Sequence, residues 1–177
     1  MTVGETTFWS QAAAALIGTV AGFAFSIVLF YLTEHIKRQR DRERVLKGLR
    51  RELQFDLALF TSWLAGIDDA RLKVAAGDKA IYLYLDYTRV LSIFINQAVR
   101  DGLLYDLLTD DELVGLDKAL RSSNPQAEQE FANRLTSWKA GEINNSEMFK
   151  TFEFHKYVVS TSKKAIEAVA SKVSARK

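Results

Sequence analysis

The side chains best suited to move protons or hold a metal in this 177-residue chain are two histidines, His35 and His155, and the adjacent acids Asp68–Asp69 and Asp110–Asp111. Neither histidine lies in an HExxH motif, and no Glu-x-x-His pair exists to build a carboxylate-bridged metal site. His35 is expected to have no special role. His155 stands among Phe149, Phe152, Phe154 and Tyr157, where an imidazole is expected as a packed or surface residue rather than a base. Adjacent residues on a helix project about 100° apart, so neither aspartate pair forms a preorganised acid and base couple. Thr109-Asp110-Asp111-Glu112 reads instead as a capping box, with acids favourably placed at the positive end of a helix dipole.

Cysteine is absent, which removes disulfides, thiolate nucleophiles and sulfur-ligated zinc. No GxxxxGK[ST] loop, GxGxxG fingerprint or GxSxG elbow occurs, so nucleotide binding and serine hydrolysis lose their recognisable devices. The expectation is a non-enzymatic protein without catalytic residues, cofactor or metal.

The elements that would position any site divide sharply by charge. Residues 1–33 carry one acid and no Lys or Arg, whereas residues 34–51 carry eight Lys/Arg against three acids. Residues 52–147 hold nine basic groups against sixteen acids, and residues 148–177 hold seven against two. The acidic middle would repel a polyanion, so the net charge of +2 is not taken as a sign of nucleic-acid binding.

Phe8 to Leu32 is a run of 25 residues without a charge. From Trp9 to Tyr31 a helix would extend roughly 33 Å, against a hydrocarbon thickness of about 30 Å. Phe8 and Trp9 at one end and Phe30 and Tyr31 at the other suit the headgroup level, with Trp9 and Tyr31 as interfacial anchors. A cleaved signal peptide is disfavoured, because Met1 to Thr7 has Glu5 and no basic residue. Lys37, Arg38, Arg40, Arg42, Arg44, Lys47, Arg50 and Arg51 all follow the run, which predicts an N-terminus outside and the remainder in the cytoplasm. The expected location is a cell inner membrane, crossed once. Ala14, Gly18, Gly22 and Ser26 recur every four residues and would let two helices approach closely, the expected face for homo-oligomer formation.

After the span no strong stop signal precedes Arg51. Leu46, Leu49, Leu53, Leu57, Phe60, Leu64 and Ile67 then mark one amphipathic face, ending near Ala76 and Gly77 with Asp78 free to cap the next helix. Ile81, Leu83 and Leu85 alternate like a strand. The longer helical spacing of Leu83, Tyr87, Val90, Leu91, Phe94, Ile95 and Ala98 nevertheless predicts a helix up to Asp101-Gly102. Further helices are expected from Leu113 to Arg121, from Pro125 to Ala140, and from Asn144–Ser146 to about Val173, the last with its aromatics filling a small core.

The fold class is therefore all-α: a short extracytoplasmic tail (1–7), one transmembrane helix (8–32), a basic juxtamembrane helix (33–51) and a cytoplasmic antiparallel bundle of about five helices (52–177). Lys37, Arg38, Arg40, Arg42 and Arg44, with Lys163, Lys164 and Lys172 from the end of the chain, are the expected contacts to lipid headgroups. The leading function is a membrane-anchored interaction or sensor protein that self-associates through its span and docks a cytoplasmic protein partner. The alternatives are an oligomeric pore and a membrane-tethered enzyme using Asp110, Asp111, Glu112 and His155.

Overall fold

The computed structural model describes residues 3–122 and 124–175, with side chains from residue 13 onward. Among them are α1 (Val3–Ala75), α2 (Ile93–Arg100), α3 (Asp110–Ser122), α4 (Pro125–Ala140), α5 (Asn145–Ala175) and a 3-10 turn at Tyr87–Arg89, with no β-strand. The chain separates into two units, Met1–Arg44 and Val45–Lys177. Helix α1 spans 73 residues and belongs to both.

In the first unit every residue from 13 to 33 is exposed, including Leu16 at 67%, Phe23 at 69% and Phe30 at 67%. This part of α1 is long and apolar enough to cross a membrane. Its hydroxyls return to their own helix: Thr19 donates to the Ala15 carbonyl at 2.8 Å, Ser26 to that of Gly22 at 2.8 Å, and Thr33 to that of Leu29. Such back-bonding leaves these hydroxyls without need of an outside acceptor.

The second unit is built around α5. Its C-terminal end meets the Arg50 guanidinium, which donates twice to the Val173 carbonyl at 3.2 and 3.1 Å. Lys156 then pairs with Asp68 at 2.6 Å and Glu153 with Arg71 at 2.6 Å, and the Asn145 amide donates to the Val74 carbonyl at 3.2 Å. Falling numbers on one helix against rising numbers on the other make α1 and α5 antiparallel. Helix α3 runs antiparallel to α5 as well, through Lys172–Glu112 at 2.5 Å and Ser122–Ser162 at 3.1 Å. Helices α4 and α5 form a hairpin, closed where Gly141 turns left-handed at φ +83° and the Glu142 amide donates to Ser137 at 2.9 Å. The Val45–Ala75 part of α1 and the four helices after it form the expected all-α bundle, in which α1, α3 and α4 each run antiparallel to α5 and so parallel to one another, in place of the expected alternation of neighbours. Leu49, Leu53, Phe60, Ile67, Trp138 and Phe152 are among its buried residues.

Helix starts follow local chemistry. The Thr109 amide donates to Glu112 at 2.8 Å while the Glu112 amide reaches Thr109 Oγ1 at 3.4 Å, the reciprocal box expected from the sequence. Asn124 accepts from the Ala127 amide at 2.9 Å ahead of Pro125. A second reciprocal pair, Asn144 with Glu147 at 3.0 Å in both directions, starts α5.

Three expectations require correction. No helix spans Leu83 to Leu91: α2 begins at Ile93, and the chain before it is irregular apart from the 3-10 turn. Asp78 does not cap a helix but accepts from Ala80 at 2.8 Å within a turn. The alternation was the better signal, since Ile81, Leu85 and Tyr87 are buried while Tyr82 and Tyr84 are exposed. The segment is held laterally rather than by its own ladder. Lys139 donates to the Ile81 carbonyl at 2.6 Å, and Lys79 to that of Trp138 at 2.7 Å. The aromatic set on α5 also divides: Phe152 is buried, whereas Phe154 and Tyr157 are 57% and 71% exposed. Phe154 and Tyr157 lie two and five residues past Phe152, off the three-to-four-residue stripe that faces the core.

Helix α2 packs closely on α1 at Gly48. A Cβ there would lie 2.3 Å from Phe94 Cε1, whereas one on Gly115 of α3 would meet only Ala165 Cβ at 3.9 Å. Gly48→Ala is therefore expected to cost about 1–3 kcal/mol by displacing the Phe94 ring, despite its better helix propensity. Gly115→Ala is expected to add up to about 1 kcal/mol. Urea denaturation of both variants measures this, and equal effects of the same sign would contradict it.

Candidate functional site

Helix α1 carries two acids on its inward face, in phase with its leucines. Glu52 and Asp56 are 3% and 0% exposed. Glu52 accepts from the Phe94 and Ile95 amides, both at 2.9 Å, and so caps the start of α2 from another helix. One turn on, Asp56 Oδ1 accepts from the Leu91 amide at 3.0 Å, while Oδ2 is buried without a partner. Burial, with a smaller push from neighbouring Glu52, raises the Asp56 carboxyl to about 7 although the Leu91 bond opposes it. These carboxylates anchor the irregular segment and α2 to α1, and sequence reading missed both. The available signal was an acid three residues after Leu49 and another three after Leu53, inside an otherwise apolar stripe.

His155 is also buried, 3% exposed, with Nδ1 hydrogen-bonded to the Tyr87 hydroxyl at 3.0 Å. Four rings gather there. The Tyr87 ring lies beside the imidazole, 21° from parallel with centroids 6.3 Å apart, and Phe131 and Phe154 meet it edge-on at 4.9 and 5.3 Å. Burial lowers the imidazole to about 4, against a weaker opposing pull from Glu130, and burial also pushes the Tyr87 phenol up. His155 is thus a neutral packed ring at physiological pH. A cleft of about 240 Å³ opens beside it, lined by Tyr87, Glu130, Phe154 and His155 among others. An adjoining cleft of about 400 Å³ shares Glu130, Phe154 and His155 and adds Arg134, Glu147 and Lys150.

The residues singled out from sequence are dispersed. Asp68 pairs with Lys156 at 2.6 Å and Asp69 with Lys73 at 2.8 Å, so the two carboxylates serve different partners. Asp110 and Asp111 are exposed in the first turn of α3. Lys172 at 2.5 Å, helped by the Thr109 amide, holds Glu112 down to about 2. A headgroup phosphate would have to compete with Glu112 for Lys172. Lys163 lies 3.6 Å from Glu167, Arg38 lies 3.2 Å from Glu34, and Lys37, Arg40, Arg42, Arg44 and Lys164 are exposed. Ala14, Gly18, Gly22 and Ser26 are exposed, with no atom within 4 Å of a Cβ placed on either glycine. Tyr31 is 69% exposed, with its ring 6.0 Å from that of Phe30; the Trp9 side chain lies outside the described residues. His35 is exposed and 3.0 Å from the Gln39 amide. Among the described residues no group of three His, Asp or Glu side chains could hold a metal ion. No protein-family model, curated protein or solved structure matches the chain.

Proposed function

We propose that this chain is a membrane-anchored interaction protein. The apolar part of α1 crosses the bilayer once, and the Val45–Lys177 unit meets a protein partner in the cytoplasm. The observation that carries this reading is the exposure of every residue from 13 to 33. About twenty apolar residues with no cover from their own chain need another solvent, and lipid supplies one at the right thickness. The internally bonded hydroxyls of Thr19, Ser26 and Thr33 support it. The basic residues after the span favour an outside N-terminus, and Ala14, Gly18, Gly22 and Ser26 offer a self-association face in lipid. Tyr82, Tyr84 and Tyr157 expose rings of the kind enriched at protein interfaces.

Fractionation tests the anchor directly. The chain is expected to sediment with membranes and to resist alkaline carbonate, with a C-terminal tag shielded from protease in intact cells. Recovery in the supernatant, or a tag cleaved from outside, would refute it. Self-association is read separately, as a smaller particle in mild detergent for Gly18→Leu/Gly22→Leu than for wild type.

A further inference from the structure

We propose that residues 81–85 form an open extended edge that pairs, antiparallel, with the same residues of a second copy of this chain. The run Ile-Tyr-Leu-Tyr-Leu is rich in strand formers, and its side chains alternate across one surface. Ile81 and Leu85 are buried, Leu83 is half-buried, and Tyr82 and Tyr84 are 95% and 66% exposed. Leu83 packs on α1 at Gly66, where an added Cβ would lie 2.9 Å from Leu83 Cδ1. Helix α4 lies along one side of the run. Its Lys139 meets the Ile81 carbonyl and stands 5.0 Å from the Tyr82 ring centre, and its Glu128 accepts from the Tyr84 hydroxyl.

These contacts leave the opposite edge bare. In an extended chain the N–H and C=O of successive residues point to opposite edges, so with the Ile81 carbonyl turned to α4, those of Tyr82 and Tyr84 turn away from it. Among the described residues no acceptor meets the Tyr82 or Tyr84 amide and no donor meets their carbonyls; the Tyr87 amide closes the run by donating to Leu85 at 3.0 Å. Unpaired backbone groups beside exposed rings are a template for another strand. The side-chain pattern says which strand fits. Read in either direction from Leu83, the run places an aromatic residue next and a buried aliphatic one after it, so it is complementary to itself, as a two-fold contact requires. Setting Leu83 against Leu83 of the second copy brings Tyr82 opposite Tyr84 twice. Those pairs exchange about four hydrogen bonds across the bare edge, with their rings in contact on the exposed face. A slip of one residue would set buried side chains against exposed ones. So short a ribbon is weak by itself, and it rests on the anchored reading above for the high effective concentration of two copies in one bilayer.

The chain has no cysteine, so single cysteines report this contact without background. In maltoside micelles under a mild oxidant, Leu83→Cys is expected to form a disulfide dimer roughly five-fold or more faster than Tyr157→Cys, because the pairing holds the two Cα atoms at position 83 about 4.5 Å apart. Tyr157 is an exposed residue of α5, and copies gathered by the span alone would cross-link there as readily. A second pair avoids the core: Tyr82→Cys mixed with Tyr84→Cys should cross-link faster than either variant alone. Tyr82→Pro removes a donor that the fold itself does not use, so added to Leu83→Cys it should slow the cross-link by roughly five-fold with the circular dichroism unchanged. Equal rates at positions 83 and 157, no gain on mixing, or an unslowed proline variant overturns the proposal. Membrane recovery reads the anchor and the cross-link reads the strand contact, so either can fail alone.

Discussion

Trp138→Ala is expected to destabilise the Val45–Lys177 unit by about 3–5 kcal/mol, a large share of the 5–15 kcal/mol that typically holds a domain together. Trp138 is fully buried where four segments meet. Its indole N–H donates to Asn145 Oδ1 at 2.8 Å, and the Asn145 amide in turn reaches the end of α1 at Val74. The Lys79 ammonium sits 3.8 Å over the ring and also donates to the Trp138 carbonyl, tying down the irregular segment after α1. Asn145 is exposed, so its freed oxygen can turn to water. The loss is then mainly that of packing and the cavity left behind. Trp138→Phe keeps a ring under Lys79 and is expected to lose clearly less. Urea denaturation followed by circular dichroism measures both, and an alanine variant within about 1 kcal/mol of wild type would show that the four segments are not held at this point.

The second large effect is a pair of opposed pH dependences. Asp56 has its folded value raised from 3.8 to about 7, so the stability it contributes is complete below 3.8 and is lost as pH rises through 7. His155 has its folded value lowered from 6.5 to about 4, so its contribution is complete above 6.5 and is lost as pH falls toward 4. Each group changes stability by about 1.4 kcal/mol per pH unit inside its window, with opposite signs, and between pH 4 and 6.5 they offset one another. Replacing either one unmasks the other. Relative to wild type, Asp56→Asn should gain about 2 kcal/mol on going from pH 5 to 6.5, as its destabilising titration is removed. His155→Gln should lose about as much over the same interval. Denaturation midpoints at the two pH values decide it, and slopes of the same sign in both variants would refute the assignment.

Where the sequence was legible, the physics was local. The uncharged run of 25 residues reads as one long apolar helix, and no part of the chain covers its described residues. Thr109 with Glu112, Asn124 before Pro125, and Gly141 begin or end helices through bonds to neighbours three or four positions away, so their spacing is enough to read them. The leucine stripe of α1 was equally plain. The fate of residues 79–92 was not, because helical spacing and alternation coexist there and the segment is held by bonds to a distant helix, Lys139 to the Ile81 carbonyl and Lys79 to that of Trp138. The inward carboxylates and the buried imidazole likewise depend on partners far along the chain: Leu91 lies 35 positions from Asp56, and Tyr87 lies 68 from His155. Periodicity determines which face of a helix turns inward. Whether a charge on that face finds an amide to meet it is decided only when the other helices close around it.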